Sequence, residues 1–267
     1  MPAGGRVLAG GHLPAGGHMP AGGHVIVELC GIPGSGKSTL ARDLVAELDR
    51  RGCSADLPLE DVSPRAPKWH RLWRKGWRAG VELAIHPRTS AMAIREVIRS
   101  RQPTGRDKVA RSLNWLVLRA SLRRARHTPG IHVFDQGVIQ ELGSLGYRGE
   151  VGAATEIADP GDDLLAPDVV VVVDVDLVVA AERLARRPGQ ESRLEDAGLD
   201  RLGELERYEG LIEGLLGSWL ENYGGHVPTT TQHVVSTPGP VELGPLVDAL
   251  RNQHGPNEAT KTLLGQG

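Results

Sequence analysis

The sequence predicts an α/β fold, in which a doubly wound, five-stranded parallel sheet carries helices on both faces. Short apolar runs alternate with segments of helical spacing, which is the pattern of strands joined by crossover helices. The length of 267 residues suits one sizeable core rather than two. We therefore assign residues 25–254 to a single domain, flanked by tails at residues 1–24 and 255–267.

Five apolar runs are the predicted strands, at residues 25–30, 53–59, 131–134, 168–173 and 233–236. Segments with an apolar repeat of helical period predict the helices, at residues 40–48, 69–85, 90–98, 108–126, 177–187, 199–220 and 241–251. Three of these helices follow one another after the second strand without a strand between them. Residues 62–128 are therefore expected to form a helical insert.

Both tails are expected to lack a packed structure. Residues 1–24 repeat the hexapeptides MPAGGR, VLAGGH, LPAGGH and MPAGGH, and a segment so rich in glycine and proline cannot build a core. Residues 255–267 have a similarly loose composition. We expect the first segment to be disordered and the second to be a flexible tail.

Composition argues against a membrane-spanning or secreted protein. No stretch approaches the roughly 18 uninterrupted apolar residues of a spanning helix, and the first residues lack the basic and apolar regions of a secretory signal. Only two cysteines occur, Cys30 and Cys53, and neither has a metal-ligand neighbour. These features predict a cytoplasmic protein with reduced thiols.

A glycine-rich loop after the first strand predicts phosphate binding. Residues 31–38 read GIPGSGKS and fit the pattern G-x-x-x-x-G-K-[ST], with a strand before and a helix after. Glycines let backbone N–H groups cradle a β-phosphate, and the helix adds its positive end. Lys37 is expected to bridge the β- and γ-phosphates of ATP, and the Ser38 hydroxyl to bind Mg²⁺. The predicted nucleotide-binding residues are Gly31, Pro33, Gly34, Ser35, Gly36, Lys37, Ser38 and Thr39.

Carboxylates follow three of the predicted strands. Asp135 ends the third strand at the sheet edge that faces a ligand crevice, where it could hold Mg²⁺ or accept a proton from an attacking hydroxyl; the alternative is a helix N-cap. Glu60 and Asp61 follow the second strand and could contact a substrate hydroxyl, or form an ordinary turn. Asp174 and Asp176 end the fourth strand, and Asp176 is expected to cap the next helix.

An arginine-rich segment, residues 183–197, predicts a mobile lid. It runs from a helix into a Pro-Gly break and carries Arg183, Arg187 and Arg193. Such a flap would exclude water and neutralise the charge that develops on a transferred phosphoryl group. Solvated ion pairs with nearby glutamates are the alternative for each arginine.

The stretches GIPGSGKST, VFDQG, VVVVDVD, ERLARR, SRLE and RYEGL resemble the P-loop nucleotide and small-molecule kinases, and thymidylate kinases most closely. They cover about two-thirds of the core. The resemblance implies the P-loop NTPase fold of kinase type and phosphoryl transfer from ATP. It also implies an aspartate at the end of the third strand, which is Asp135, and lid arginines, which are Arg183, Arg187 and Arg193. A following helix would carry the pair Arg207 and Tyr208, and a turn with Ser236 and Pro238 would lie beside the adenine.

Two departures concern the acceptor. Thymidylate kinases usually carry an acidic residue where this sequence has Pro33, and an arginine where it has Gln136. Because both positions help to hold the acceptor in that family, we expect Gln136 to contact an acceptor other than thymidylate.

The insert is strongly basic. Residues 62–128 contain seventeen lysines and arginines against three acids, a net charge of +14. Trp69, Trp73 and Trp77 recur every four residues and would form one stripe on a helix. Three interpretations are open: the stripe packs into the core, Trp69 and Trp73 stack on the acceptor, or the stripe anchors the protein at an anionic membrane.

The leading hypothesis is an ATP- and Mg²⁺-dependent kinase that acts on a small anionic or nucleotide-like acceptor, with a homodimer as one possible assembly. A kinase that modifies an antibiotic or other specialised metabolite is an alternative. A nucleic-acid-binding ATPase that uses the basic insert is a hypothesis of a different class.

Overall fold

The computed structural model describes residues 7–8, 23–62, 68–147, 149, 164–186, 200–223, 230–235 and 243–254. Within these ranges the strands are β1 Val7–Leu8, β2 His24–Cys30, β3 Ala55–Asp56, β4 Gly130–Phe134, β5 Val169–Asp174 and β6 Thr230–Val235. The helices are α1 Lys37–Arg50, α2 Lys68–Ile85, α3 Pro87–Arg99, α4 Gly105–Arg126, α5 Val138–Gly146, α6 Leu177–Ala185, α7 Arg201–Tyr223 and α8 Gly244–His254. A short 3₁₀ helix spans Glu60–Val62.

The strands form one sheet in the order β1-β6-β5-β2-β4-β3. Strand β2 lies in the middle and pairs in parallel with both β4 and β5, while β3 pairs in parallel with β4 and β6 with β5. The predicted five-strand parallel sheet therefore consists of four strands of five or more residues and the two-residue strand β3. The doubly wound α/β class is confirmed.

The second predicted strand is much shorter than expected. Residues 53–59 were expected to be extended, but only Ala55 and Asp56 pair with β4. Pro58 follows two residues later, and a proline has no N–H to donate to a strand ladder. The chain then turns into the 3₁₀ helix Glu60–Val62, so the helical insert begins closer to the sheet than the sequence indicates.

Two residues of the N-terminal repeat form a strand, while the expected disorder of residues 1–24 as a whole stays a prediction. Val7 and Leu8 form β1, antiparallel to β6, and face Val234 and His233. The hexapeptide VLAGGH begins with two apolar residues, whereas LPAGGH and MPAGGH after it have a proline in second place. Val7 and Leu8 therefore both have an N–H group that can join a strand ladder. Strand β2 also begins at His24 rather than residue 25.

The sheet separates two apolar layers. On one face, Val27 and Leu29 of β2 pack in a cluster with Leu44 of α1. On the other face, Ile26 belongs to a larger cluster that includes Trp115 of α4. A central strand buried on both faces explains why its sequence reads as a continuous apolar run rather than an alternating one.

Helix α4 of the insert packs on this second face of the sheet and buries Trp115, Leu118 and Leu122 in the larger cluster. Helices α2 and α3 both pack against α4. None of the helices in the described ranges is long and apolar enough to cross a membrane.

Candidate phosphate-binding site

The loop between β2 and α1, residues 31–36, depends on glycine at two close contacts. Gly31 has φ 148° and Gly34 has φ 87°, values that residues with a side chain rarely adopt. A Cβ at Gly31 would lie 2.5 Å from the carbonyl oxygen of Val173, and one at Gly34 would lie 2.6 Å from that of Ala180. The loop is therefore wedged against the end of β5 and the middle of α6.

The N-terminus of α1 is open towards this loop. Its N-cap is Gly36, with φ 96° and no side chain to cap the first turn. The positive end of the helix is thus left for an external anion. Lys37, the first residue of α1, adds a charge there: its Nζ donates to the carbonyl oxygens of Gly31 at 2.7 Å and Ile32 at 2.8 Å. The predicted phosphate cradle is therefore present in the backbone.

Ser38 and Asp135 meet at the edge of this cradle. The Ser38 hydroxyl donates to Asp135 Oδ2 at 2.6 Å. The contact exists because β4, which ends just before Asp135, pairs directly with β2, which leads into the loop. Asp135 is not the helix cap that was the alternative, because Gly137 is the N-cap of α5. A hydroxyl and a carboxylate side by side suit Mg²⁺, which prefers oxygen ligands.

Glu28 supports this edge from within the sheet, and sequence reasoning missed it. Its carboxylate is buried and accepts hydrogen bonds from the backbone N–H groups of Val138 at 2.9 Å and Gln140 at 3.1 Å. Burial raises the pKa of Glu28 to about 7, although the N–H donors oppose the rise. A charged residue in an otherwise apolar strand, two positions before Cys30, was the available signal.

Gly137 makes room for Glu28. A Cβ at Gly137 would overlap the Glu28 carboxyl group. Glu28 of β2 therefore holds the start of α5, three residues after Asp135.

Arg183 brings one lid arginine to the loop. Its Nη1 lies 3.4 Å from the carbonyl oxygens of both Gly34 and Ser35. Asp176 caps α6 by accepting from the N–H groups of Val178 and Val179, as the sequence predicts. The other predicted residues of the lid and the adenine turn, Arg187, Arg193, Ser236 and Pro238, lie outside the described residues.

Three further predicted binding residues lie in the loop, in α1 and after β4. Pro33 is half-buried in the loop, and Gln136 is exposed directly after Asp135. Thr39 is exposed on α1, where its Oγ1 accepts a 3.4 Å hydrogen bond from Arg42. The roles of these three residues in binding stay predictions.

Asp61 attaches the insert to the sheet. Its Oδ2 accepts from Arg74 at 2.9 Å and from Arg78 at 2.8 Å, so it joins the 3₁₀ helix to α2. Arg78 also donates to the carbonyl oxygen of Pro58 at 3.0 Å. Glu60 is exposed. Contact of Glu60 and Asp61 with a substrate hydroxyl stays a prediction, but Asp61 has a structural role that the sequence did not indicate.

The tryptophan stripe is on the surface, so the interpretation that it packs into the core is wrong. Trp69, Trp73 and Trp77 are 74%, 58% and 65% exposed, and the last two stack with ring centroids 6.2 Å apart. The reason is that α2 turns its polar face inward. Stacking of Trp69 and Trp73 on an acceptor stays a prediction.

Tyr208, which the family resemblance places on the helix after the lid, packs in the core. It is buried, and its hydroxyl accepts from Gln140 Nε2 at 2.7 Å, which joins α7 to α5. Among the described residues, no group of three or more histidine, cysteine or acidic side chains could hold a metal ion. Binding of Mg²⁺ by the Ser38–Asp135 pair stays a prediction.

Comparison with known proteins identifies the family. The model of the AAA domain family matches residues 26–209, and no curated protein matches the chain. A deoxyadenosine kinase from M. mycoides with bound dATP is similar in structure, with a TM-score of 0.43, 11% identity, and coverage of 85% of this chain and 98% of that one. The same enzyme with dCMP and a flexible dCDP gives a TM-score of 0.41, 12% identity and coverage of 85% and 97%. The matched residues 26–209 include the loop, Asp135 and Arg183, and the predicted P-loop fold is confirmed.

Proposed function

This chain belongs to the AAA domain family, and we propose that it is an ATP-dependent kinase. It transfers the γ-phosphoryl group, with Mg²⁺, to a small acceptor that is anionic or nucleotide-like. The observation that carries the proposal is the 2.6 Å hydrogen bond between Ser38 and Asp135, which places a hydroxyl and a carboxylate beside Lys37 and the phosphate loop. Phosphoryl transfer needs this set of groups in one place.

Each of these groups has a defined task in such a reaction. The backbone of the loop would hold the β-phosphate, and the Lys37 ammonium, now on loop carbonyls, would turn to the β- and γ-phosphates. Ser38 and Asp135 would hold Mg²⁺, which neutralises charge on the phosphate oxygens when bound. Arg183 would add positive charge from the other side of the loop. Catalysis would then consist mainly of positioning and charge stabilisation.

The location of the insert supports an acceptor site rather than a simple nucleotide switch. Strands β3 and β4 are parallel neighbours, so the insert that follows β3 begins at the same edge of the sheet as Asp135. Arg74 and Arg78 are held at that edge by Asp61. Cationic side chains at the same edge of the sheet as the phosphate loop suit an anionic or phosphorylated acceptor.

A screen with γ-labelled ATP tests the proposal. Purified protein is incubated with Mg²⁺ and panels of nucleosides, nucleotides, sugars and antibiotics, and label on the acceptor is measured for the wild type and for Lys37→Ala. We expect transfer to one acceptor class, lost in the variant. Transfer that survives in Lys37→Ala would contradict the site. ATP hydrolysis that DNA or RNA stimulates, with steep salt dependence and no transfer, would replace the proposal by a nucleic-acid-dependent ATPase.

A further inference from the structure

Helix α2 presents an apolar face to solvent. Trp69, Leu72, Trp73, Trp77 and Leu83 lie within one arc of the helix, and all five are exposed. We call this set the tryptophan face. In a surface helix of a globular protein the apolar stripe normally faces the core, so α2 is inverted relative to the usual arrangement.

Paired polar groups hold α2 in this orientation. On its inner face, Lys75 donates to Asn114 of α4 at 2.9 Å, and Glu82, which is buried, lies 3.1 Å from an Arg123 nitrogen. Burial lowers the pKa of Lys75. Rotating the helix to bury the tryptophans would break these contacts and leave the charges of α4 unpaired, which is costly. The tryptophan face therefore stays outward.

The tryptophan face is large for a surface in permanent contact with water. From their exposed fractions of 74%, 58% and 65%, and ~250 Å² for a whole tryptophan, the three rings alone present roughly 500 Å². Leu72 and Leu83 extend this area. The largest apolar patch on a typical soluble monomer is about 300–600 Å², and larger ones mark interaction sites.

The charge around the face decides what covers it. The insert carries a net charge of +14. Arg74 on α2 and Arg88, Arg95 and Arg99 on α3 are exposed. Of the three acids of the insert, Glu82 is buried, and Glu96, which pairs with Arg95 and Arg99, and Asp107 are half-buried. A second copy of this chain would bring two such positive inserts together and is disfavoured by their repulsion. An apolar face among exposed arginines complements an anionic surface with an apolar interior.

We propose that the tryptophan face docks the protein on an anionic lipid bilayer. The indole rings would lie at the level of the headgroups, with the leucines beneath them, and the arginines would contact anionic phosphates. Basic side chains near such a surface strengthen binding through their attraction to the anionic headgroups. The proposal does not rest on the kinase activity.

Vesicle flotation with the full chain tests the proposal. Large unilamellar vesicles contain either phosphatidylcholine alone or 70% phosphatidylcholine and 30% phosphatidylglycerol. We expect flotation with the anionic vesicles, weakened by high salt, and a blue shift of tryptophan emission. The shift reports the exposed rings, because the chain's other tryptophans, Trp115 and Trp219, are already buried.

A triple variant, Trp69→Ser with Trp73→Ser and Trp77→Ser, should lose binding to anionic vesicles at least about tenfold while unfolding at an unchanged temperature, because exposed rings add little to stability. Leu202→Ser, which removes an exposed apolar side chain of α7, is the matched control and should float like the wild type. Two results overturn the proposal: no flotation of the wild type, or equal flotation of the triple variant. The wild type could instead form a dimer or bind single-stranded DNA, and the triple variant could lose that binding. Without flotation of the wild type, such a result would overturn the proposal and assign the tryptophan face to that other partner.

Discussion

The hydroxyl of Ser38 and the carboxylate of Asp135 are joined by a hydrogen bond of 2.6 Å, across 97 residues of sequence. The bond links the first turn of α1 to the end of β4. It forms because two adjacent parallel strands end at the same edge of the sheet, each followed by a functional side chain. The geometry puts two oxygen ligands at the place where phosphate oxygens of a nucleotide would meet them.

Ser38→Ala is expected to raise the Mg²⁺ concentration needed for half-maximal turnover by about 10- to 100-fold, because it removes one oxygen ligand. Asp135→Asn should do the same and also lower maximal turnover. The measurement is a Mg²⁺ titration of phosphoryl transfer at saturating ATP. Ser54→Ala, an exposed serine on another loop, is the control and should titrate like the wild type. Identical titrations for Ser38→Ala and the control would remove Ser38 from the metal site.

Lys37→Ala is expected to reduce turnover by about 10²–10³-fold, since it removes one cation aimed at the charge that develops in the transition state. Its free energy of unfolding should fall by about 1–3 kcal/mol, because the carbonyl oxygens of the buried residues Gly31 and Ile32 lose a charged donor. Arg50→Ala, which removes an exposed cation at the other end of α1, should leave turnover unchanged. Rates from labelled ATP and denaturant unfolding separate the two effects. Loss of turnover together with loss of folding would point to a structural role instead.

Gly137→Ala is expected to destabilise the protein by about 1–3 kcal/mol, because the added methyl group overlaps the buried carboxyl group of Glu28. Gly210→Ala provides the contrast: Gly210 lies inside α7, and a Cβ there meets nothing within 4 Å. That change should stabilise the protein by about 0.5–1 kcal/mol through helix propensity. Urea unfolding measures both. Equal effects of the two substitutions would contradict the close contact at Gly137.

Stability should fall as the pH rises from about 4.5 to about 7. Burial raises the pKa of Glu28 to about 7 in the folded protein, above its usual value of 4.5, so the folded state binds this proton more tightly than the unfolded chain does. The stabilisation from this proton is fully present below about pH 4.5 and is lost above about pH 7. It amounts to about 3 kcal/mol of the free energy of unfolding. Glu28→Gln should remove this part of the pH dependence, whereas Glu60→Gln, at an exposed position, should preserve it. Urea unfolding at a series of pH values shows whether the two variants differ.

The sequence predicts the phosphate loop and the position of Asp135 because both depend on local chemistry. Glycines at tight backbone positions, and a carboxylate after a buried strand, leave a pattern that can be read without tertiary contacts. The role of Asp176 as the N-cap of α6 is predictable for the same reason, because it depends only on the first turn of that helix. The role of Glu28 could not be predicted from the sequence, because it depends on the N–H groups of α5, which lie more than a hundred residues away in the chain.

Two predictions were wrong, the burial of the tryptophan stripe and the length of the second strand, and both have physical causes of the same kind. Periodicity correctly places Trp69, Trp73 and Trp77 on one helix face, but it cannot tell which face is buried when the opposite one carries partners for buried charges. The ion pairs of Glu82 with Arg123 and the hydrogen bond of Lys75 with Asn114 decide that question, and both partners lie on another helix. Likewise, the length of β3 is set by Pro58 and by the turn that follows it, rather than by apolar content.

The contact of Gly34 with Ala180 limits how the protein can move. Helix α6 contacts the phosphate loop through the carbonyl oxygen of Ala180 and through Arg183. A movement of the helix would therefore displace the loop as well. A substitution in α6 that changes the position of Arg183 is therefore expected to change the geometry of the phosphate loop as well.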